Sequence, residues 1–367
     1  MITALLAAFL LAHSSDTTGL YGAAADLPEV TFLERDGRRF GAEPDELGPI
    51  GGGDGYTGGL AGGDHVATTL DELIAALAAA EPGDVVFVPG DAAIDCTARV
   101  LVDGLVLELP GGVTLASDRG RDGSPGALLF SDHLATRPLI RVTGPDARIS
   151  GLRLRGPDPE RRLDHHRRSF RERRGSDYYY KFPISDGIET AADRLEVDGC
   201  ELAGWSHAAV FLKAGTGHHV HHSFLHHNQY QGLGYGICHD VAVSLIERNL
   251  FDWNRHSIAG TGRPGSGYEA RHNVERGTSL SHCFDMHGGR DRGDGTDVAG
   301  TFLTVERNTF LCPRTALVVR GEPEEEARVQ GNWFVHATPR EAVRGQERTR
   351  LGANLYGTAE PAVREGR

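Results

Sequence analysis

Short apolar runs closing on asparagine recur through the second half of the chain. They are Leu245-Ile-Glu-Arg-Asn249-Leu-Phe, Tyr268-Glu-Ala-Arg-His-Asn273, Leu303-Thr-Val-Glu-Arg-Asn308-Thr-Phe and Ala327-Arg-Val-Gln-Gly-Asn332-Trp-Phe. Each is strand-like, with no helical periodicity. The asparagines lie 24, 35 and 24 positions apart. Repetition on this scale marks a stacked architecture, and the period identifies the repeating unit. About 24 residues per turn, built from short strands, predicts an all-β fold: a right-handed parallel β-helix, a solenoid whose coils each place strands on three faces. Asparagine at the same bend of successive coils predicts a ladder of side-chain amides that satisfies polar groups at the turn. Asp198-Gly-Cys200-Glu-Leu and His221-His-Ser223-Phe-Leu extend the frame upstream, so Cys200 and Ser223 are expected at that bend.

Ahead of the coils, Thr69-Leu-Asp-Glu72 has the form of a capping box and opens a helix through Leu73, Leu77 and Ala80. Pro82-Gly83 ends it. A helix placed there covers the open end of the solenoid, where an exposed terminal rung would otherwise pair with another chain. Strand-like runs follow, such as Asp84-Val-Val-Phe-Val88 and Leu105-Val-Leu-Glu-Leu109. The pattern pauses between Gly156 and Ser185, which predicts an insertion at about 156–185. The resulting division is a signal peptide at 1–25, an irregular, flexible Gly-rich lead-in at 26–65, the β-helix at 66–355 and a tail at 356–367.

The 367 residues carry a formal net charge of −13, which argues against nucleic acid as a partner. The insertion departs from this balance. From Arg153 to Asp177 it holds nine Arg against five Asp or Glu, with His165 and His166, and it ends in Asp177-Tyr-Tyr-Tyr180-Lys181. It reads either as a solvated loop or as a basic, aromatic lip for an anionic polymer, since guanidinium forks bind carboxylates and sulfates. The five cysteines are odd in number and form no CxxC, so they read as small buried hydrophobes. Residues 2–12 are an apolar run of signal-peptide length, too short to span a bilayer, so secretion is expected and no membrane partner. The expected form is a monomer.

Aligned on the asparagine bend, the following strands bring candidate chemistry into register. Alternation turns Ile258, Phe284, Met286, Leu317 and Val319 inward, and Lys213, Asp285, His287 and Arg320 outward. One column is expected to hold His207, Tyr230, His256 and His282, and a second Lys213, His287 and Arg320. Coils stack ~4.8 Å apart, so such columns form a groove. Stacked like charges repel, which favours a site over a structural array. The chemistry that suits it is removal of the proton alpha to a uronate carboxylate. That reaction needs a cation on the carboxylate and a base such as His, Tyr or Lys. Protonation of the leaving glycosidic oxygen gives β-elimination; reprotonation from the opposite face gives epimerisation.

The β-helix frame, the cap helix and the outward polar strand resemble the pectate-lyase-like superfamily. His282-Cys-Phe-Asp285-Met-His287 is similar to the Tyr-Gly-Phe-Asp-Pro-His motif of alginate C5-epimerases. Asp285 and His287 match its acid and histidine, His282 takes the place of its tyrosine and Met286 that of its proline. The resemblance implies that Lys213 corresponds to a catalytic lysine on a preceding coil. There is no clear match to the aspartates of calcium-dependent pectate lyases. The candidate catalytic set is therefore Lys213, His256, His282, Asp285 and His287. Substrate contacts are expected from His207, Tyr230, Tyr235, Arg255, Arg263, Tyr268 and Arg320, the last but one through the turn Arg263-Pro-Gly-Ser-Gly-Tyr268.

His218-His-Val-His-His222 and His226-His227 invite a metal, but alternation splits them between faces, and no metal is expected there. Asp291, Asp294 and Asp297 read as a polar turn or a calcium loop. The expected activity is that of a polysaccharide lyase on a uronic-acid polymer. The alternatives are a C5-epimerase, a glycoside hydrolase on the same fold, which needs paired carboxylates, and a non-catalytic carbohydrate-binding solenoid.

Overall fold

A computed structural model describes residues 27–357, and within them the chain winds as a parallel β-helix. One wall is a ten-stranded sheet running in order from Ala93–Asp95 to Leu355–Tyr356. The other two walls belong to one continuous sheet, because the strands Ala208–His221 and Tyr235–Glu247 turn the corner, with a register shift between Gly215 and His218. Strands pair in parallel with the coils above and below; the hairpin Phe32–Arg35 with Arg38–Gly41 is antiparallel. The cap helix spans Leu70–Ala79 with its capping box formed between Thr69 and Glu72, and it buries Leu73, Ala76 and Leu77.

The inward residues fall where alternation puts them. Ile258 pairs with Phe284 and Phe284 with Leu317, and all are buried, as are Met286 and Val319. Rings line the interior: Phe284, Phe310, Phe334 and Tyr356 follow one another at 4.9, 5.0 and 5.4 Å between centroids. Burying a side chain of this size stabilises the fold by ~1.5–3 kcal/mol. All five cysteines are buried as free thiols.

At the bend between two walls the asparagines form the ladder. Asn249 Nδ2 donates to Asn273 Oδ1 (3.1 Å), Asn273 Nδ2 to Asn308 Oδ1 (2.9 Å) and Asn308 Nδ2 to Asn332 Oδ1 (3.1 Å). Ser223 and Cys200 continue it through Ser223 N to Asn249 Oδ1 (3.0 Å) and Cys200 N to Ser223 Oγ (3.1 Å). Asn354 adds a further rung, accepting from Asn332 Nδ2 (3.0 Å). A second, shorter ladder joins Asn228 and Asn254 at another bend (2.8 Å).

The lead-in is not a flexible segment. It lies along the outside of the coils and is tied to them. Tyr56 Oη donates to the buried Asp198 (2.7 Å), Gly51 N to Arg248 O (2.8 Å), and Arg119 Nη1 to Gly51 O (3.2 Å). Its glycines permit this approach: Gly52 has φ 63°, and a Cβ there would fall 2.2 Å from His222 O. The insertion also folds, with helices at Leu163–Phe170 and Ser176–Tyr179. Tyr179 turns inward and stacks on His165 and Tyr230 (5.2 and 5.0 Å), which leaves Tyr180 and the arginines Arg168, Arg171 and Arg173 exposed.

Candidate functional site

The site is organised by one carboxylate. Asp285 stands in the middle of the strand Phe284–Met286 between two core residues, so its side chain points out of the barrel. It is nevertheless fully buried, because four cationic or imidazole side chains cover it. Arg320 donates Nε to Oδ1 and Nη2 to Oδ2, both at 2.9 Å. His282 Nε2 lies 3.0 Å from Oδ1 and His287 Nε2 lies 2.9 Å from Oδ2. His256 Nε2 stands 3.9 Å from Oδ2. Burial alone would raise the carboxyl's pKa. The contacts with His282 and His287 outweigh it and hold Asp285 well below the usual carboxylate range.

A run of rings climbs the same wall. His207 meets Tyr235 edge-on (5.6 Å), Tyr235 stacks on His256 (5.9 Å), and His256 lies 4.0 Å from His282. The strand register explains this, since Tyr235 pairs with His256. Tyr230 was expected in this column and is not there. The loop between Gln231 and Gly234 separates it from the strand, and it is buried beneath the insertion with its hydroxyl on Tyr179 O (3.3 Å). Tyr235 takes its place, and burial pushes its phenol above the ordinary value. His207 is held by the buried Asp186 (Nδ1 to Oδ1, 2.5 Å), which also pairs with Arg137.

The expected second column exists in register but not in contact. Lys213, Asp240, Thr261, His287 and Arg320 follow one another on successive coils. Lys213 is three strands from His287, ~14 Å at ordinary strand spacing, and pairs instead with Glu189 (3.5 Å). It therefore does not join the Asp285 cluster. Arg263 is exposed and pairs with Asp240 (3.1 Å). Tyr268 does not line a groove: it points into the core and is fully buried. Arg320 lies in the cluster, yet its guanidinium is committed to Asp285 rather than open to a substrate.

Arg255 behaves differently. Its guanidinium packs over Tyr235 (5.9 Å), next to His256, and among the described residues no carboxylate lies within ion-pair distance of it. Its Nε and Nη1 are buried without a hydrogen-bond partner. An arginine in this state is a half-shielded positive charge with no anion. Burial, and after it the nearby charge of Arg255, lowers the pKa of His166 of the insertion, so the insertion flanks the same region.

The aspartates of the loop after His287 are each engaged separately. Asp291 faces Arg320 (3.6 Å), Asp294 accepts from Arg292 (2.7 Å), and Asp297 faces Arg290 (3.4 Å). The histidine-rich run also disperses: His218 Nε2 meets Ala214 O, His219 meets Glu247, and His222 meets Asp45. Two groups among the described residues bring three ligand atoms within 4.8 Å of one another: His256, His282 and Asp285, and Glu196, Asp198 and His221. In the second group Asp198 is taken by Arg148 (2.8 Å), Tyr56 and Ser150.

No protein-family model matches the chain, and no curated protein matches its sequence. Among solved structures it is similar to an alginate lyase from Paenibacillus sp. strain FPU-7, with TM-score 0.48 and 15% identity over 80% of this chain and 97% of that one. It is also similar to a family 28 exopolygalacturonase from Yersinia enterocolitica, with TM-score 0.44 and 12% identity over 78% of this chain and 62% of that one. These likenesses are distant, and the fold assignment rests on the strand pairing itself.

Proposed function

We propose that the chain is a polysaccharide lyase that cleaves a uronic-acid polymer by β-elimination, with His287 as the base. The observation that carries this reading is a partly exposed imidazole oriented by a buried carboxylate, on the same wall as an arginine that lacks an anion. His287 Nε2 lies 2.9 Å from Asp285 Oδ2, a contact that favours the proton on Nε2 and leaves Nδ1 its lone pair. A carboxylate fixing the tautomer of an imidazole in this way is a recurrent device for making a base. Arg255, farther along the same wall, offers positive charge to a carboxylate of the bound polymer.

The step balances within the site. The C5 proton passes to His287 Nδ1, the C5 electron pair forms the C4=C5 double bond, and the C4–O bond breaks. The imidazolium so formed then returns its proton to the leaving oxygen. Of the residues expected to act as acid or base, Lys213 has no part in this scheme, because its position three strands away keeps it from the reacting atoms. The basic insertion, with exposed Arg168, Arg171 and Arg173, favours an anionic polymer over a neutral one.

The test is a panel of alginate, pectate, glycosaminoglycan and ulvan, followed by the ultraviolet absorbance of the unsaturated product. Appearance of the double bond with one of them, and its loss in His287→Ala, supports elimination. Reducing ends without a double bond would assign hydrolysis instead.

A further inference from the structure

His256 presents a problem that the proposed reaction does not solve. Its ring is fully buried, and its Nδ1 lies 2.6 Å from the backbone oxygen of His282. A carbonyl oxygen only accepts, so Nδ1 carries the proton and Nε2 is a bare lone pair. That lone pair has no donor, and it faces a carboxylate oxygen, Asp285 Oδ2, at 3.9 Å. Two electron-rich atoms confront each other in a water-excluded space, and a buried acceptor left unpaired costs about 1–3 kcal/mol.

His282 shows the same tension. Its Nε2 lies 3.0 Å from Asp285 Oδ1, which requires a donor, and 3.4 Å from Arg320 Nη2, which requires an acceptor. One nitrogen cannot be both. A cation shared by Nε2 of His256, Nε2 of His282 and the Asp285 carboxylate gives both ring lone pairs a partner and leaves Arg320 Nη2 its bond to Asp285 Oδ2, and the ligand atoms of this trio lie within 4.8 Å of one another.

We infer that His256, His282 and Asp285 form a binding site for one divalent transition-metal ion. Two imidazoles and a carboxylate suit zinc, cobalt, nickel or manganese better than calcium, which prefers a larger set of oxygens. The arrangement beyond the ligands agrees. A metal-binding histidine ordinarily donates its other ring nitrogen to a carbonyl or carboxylate, as His256 does to His282 O. The Asp285 carboxylate is likewise fixed from its far side by the arginine fork of Arg320. The ion would add positive charge next to Arg255, on the wall where a uronate carboxylate is proposed to sit. The inference rests on donor geometry and stands apart from the proposed reaction, which routes no step through the ion.

The test uses the full-length, untagged protein, stripped with a chelator and titrated with Co2+ and Zn2+. The expected result is one equivalent of Co2+ per chain with visible d–d bands of an imidazole-containing site, displaced by Zn2+. His256→Ala and His256→Gln should each weaken binding at least tenfold while retaining the far-ultraviolet circular dichroism of the native fold. His221→Ala reports on the other three-residue group: loss of the bands there, with binding retained in His256→Ala, would move the ion to that group and overturn the inference. Absence of stoichiometric binding by the wild-type chain would overturn it outright, and needs no variant to fold. Metal binding without any double-bond formation on the uronan panel would leave the site standing and remove only the lyase reading.

Discussion

Arg320 grips Asp285 with two parallel hydrogen bonds, Nε to Oδ1 and Nη2 to Oδ2, each 2.9 Å, around a carboxylate that water does not reach. The strands Phe284–Met286 and Leu317–Val319 pair directly, which sets this geometry: Met286 opposes Val319, so Arg320 rises one coil along from His287. The pair is structural as much as functional, since it compensates a buried charge on which two histidines also depend.

Removing one partner of such a pair leaves the other uncompensated. Arg320→Met should therefore destabilise the fold by about 3–5 kcal/mol, reduced by whatever share His282 and His287 retain of the charge. Urea denaturation followed by circular dichroism measures this. A change below about 0.5 kcal/mol, the range of ordinary surface substitutions, would mean that Arg320 does not hold the carboxylate.

Arg255 should act on substrate rather than on stability. Its guanidinium makes no ion pair among the described residues, so Arg255→Gln removes no folded-state charge pair. Turnover of a uronate polymer should fall by roughly tenfold or more in kcat/KM, the equivalent of ~1.4 kcal/mol of transition-state binding. Initial rates on the intact polymer and on its methyl-esterified form separate the cases. The ester, which has no anion to pair with, should lose much less.

The asparagine ladder makes a local prediction. Asn273 Oδ1 accepts from Asn249, and its Nδ2 donates to Ile246 O (2.8 Å) and Asn308 Oδ1 (2.9 Å). Asn273→Ala strips partners from buried groups on both adjacent coils and should cost about 1–3 kcal/mol. Asn354→Ala, at the partly exposed end of the ladder, should cost less. Thermal unfolding of the two variants gives the comparison.

Much of this fold was legible because the solenoid writes its period into the sequence. The asparagine bend, the inward Ile258, Phe284 and Leu317, and the capping box at Thr69 all follow from local alternation and local hydrogen bonding. Most of what did not follow was set by contacts between distant coils. Tyr268 reads with the turn that begins at Arg263, yet it belongs to the strand Gly267–Arg271 and alternates inward with Ala270. Tyr230 is displaced by a short loop whose shape the local pattern does not reveal. Lys213 lies in the right file but three strands away, because a column says nothing of how many coils separate its members. The glycines of the lead-in looked flexible; their role is close approach, visible only once His222 and Leu250 stand beside them.

Acid should destabilise the fold before the carboxylates titrate. Burial lowers His227, His239 and His272 to about 4, and each is neutral in the folded chain. In the unfolded chain an imidazole titrates near ~6.5, so between about pH 6.5 and 4 unfolding takes up protons. Their contribution is fully present above about pH 6.5 and is lost as the pH falls toward 4, at up to ~1.4 kcal/mol per pH unit for each imidazole. Denaturation midpoints near pH 7, 6 and 5 should decline together, whereas a flat profile would show that these rings accept protons within the fold.

The most direct measurement is the ultraviolet absorbance of a uronate polymer incubated with the wild-type chain and with His287→Ala. Elimination by an imidazole oriented by Asp285 predicts a new double bond from the wild type and a rate lower by about 10²–10⁴-fold in the variant, with the fold retained. Equal rates from the two proteins would contradict the account.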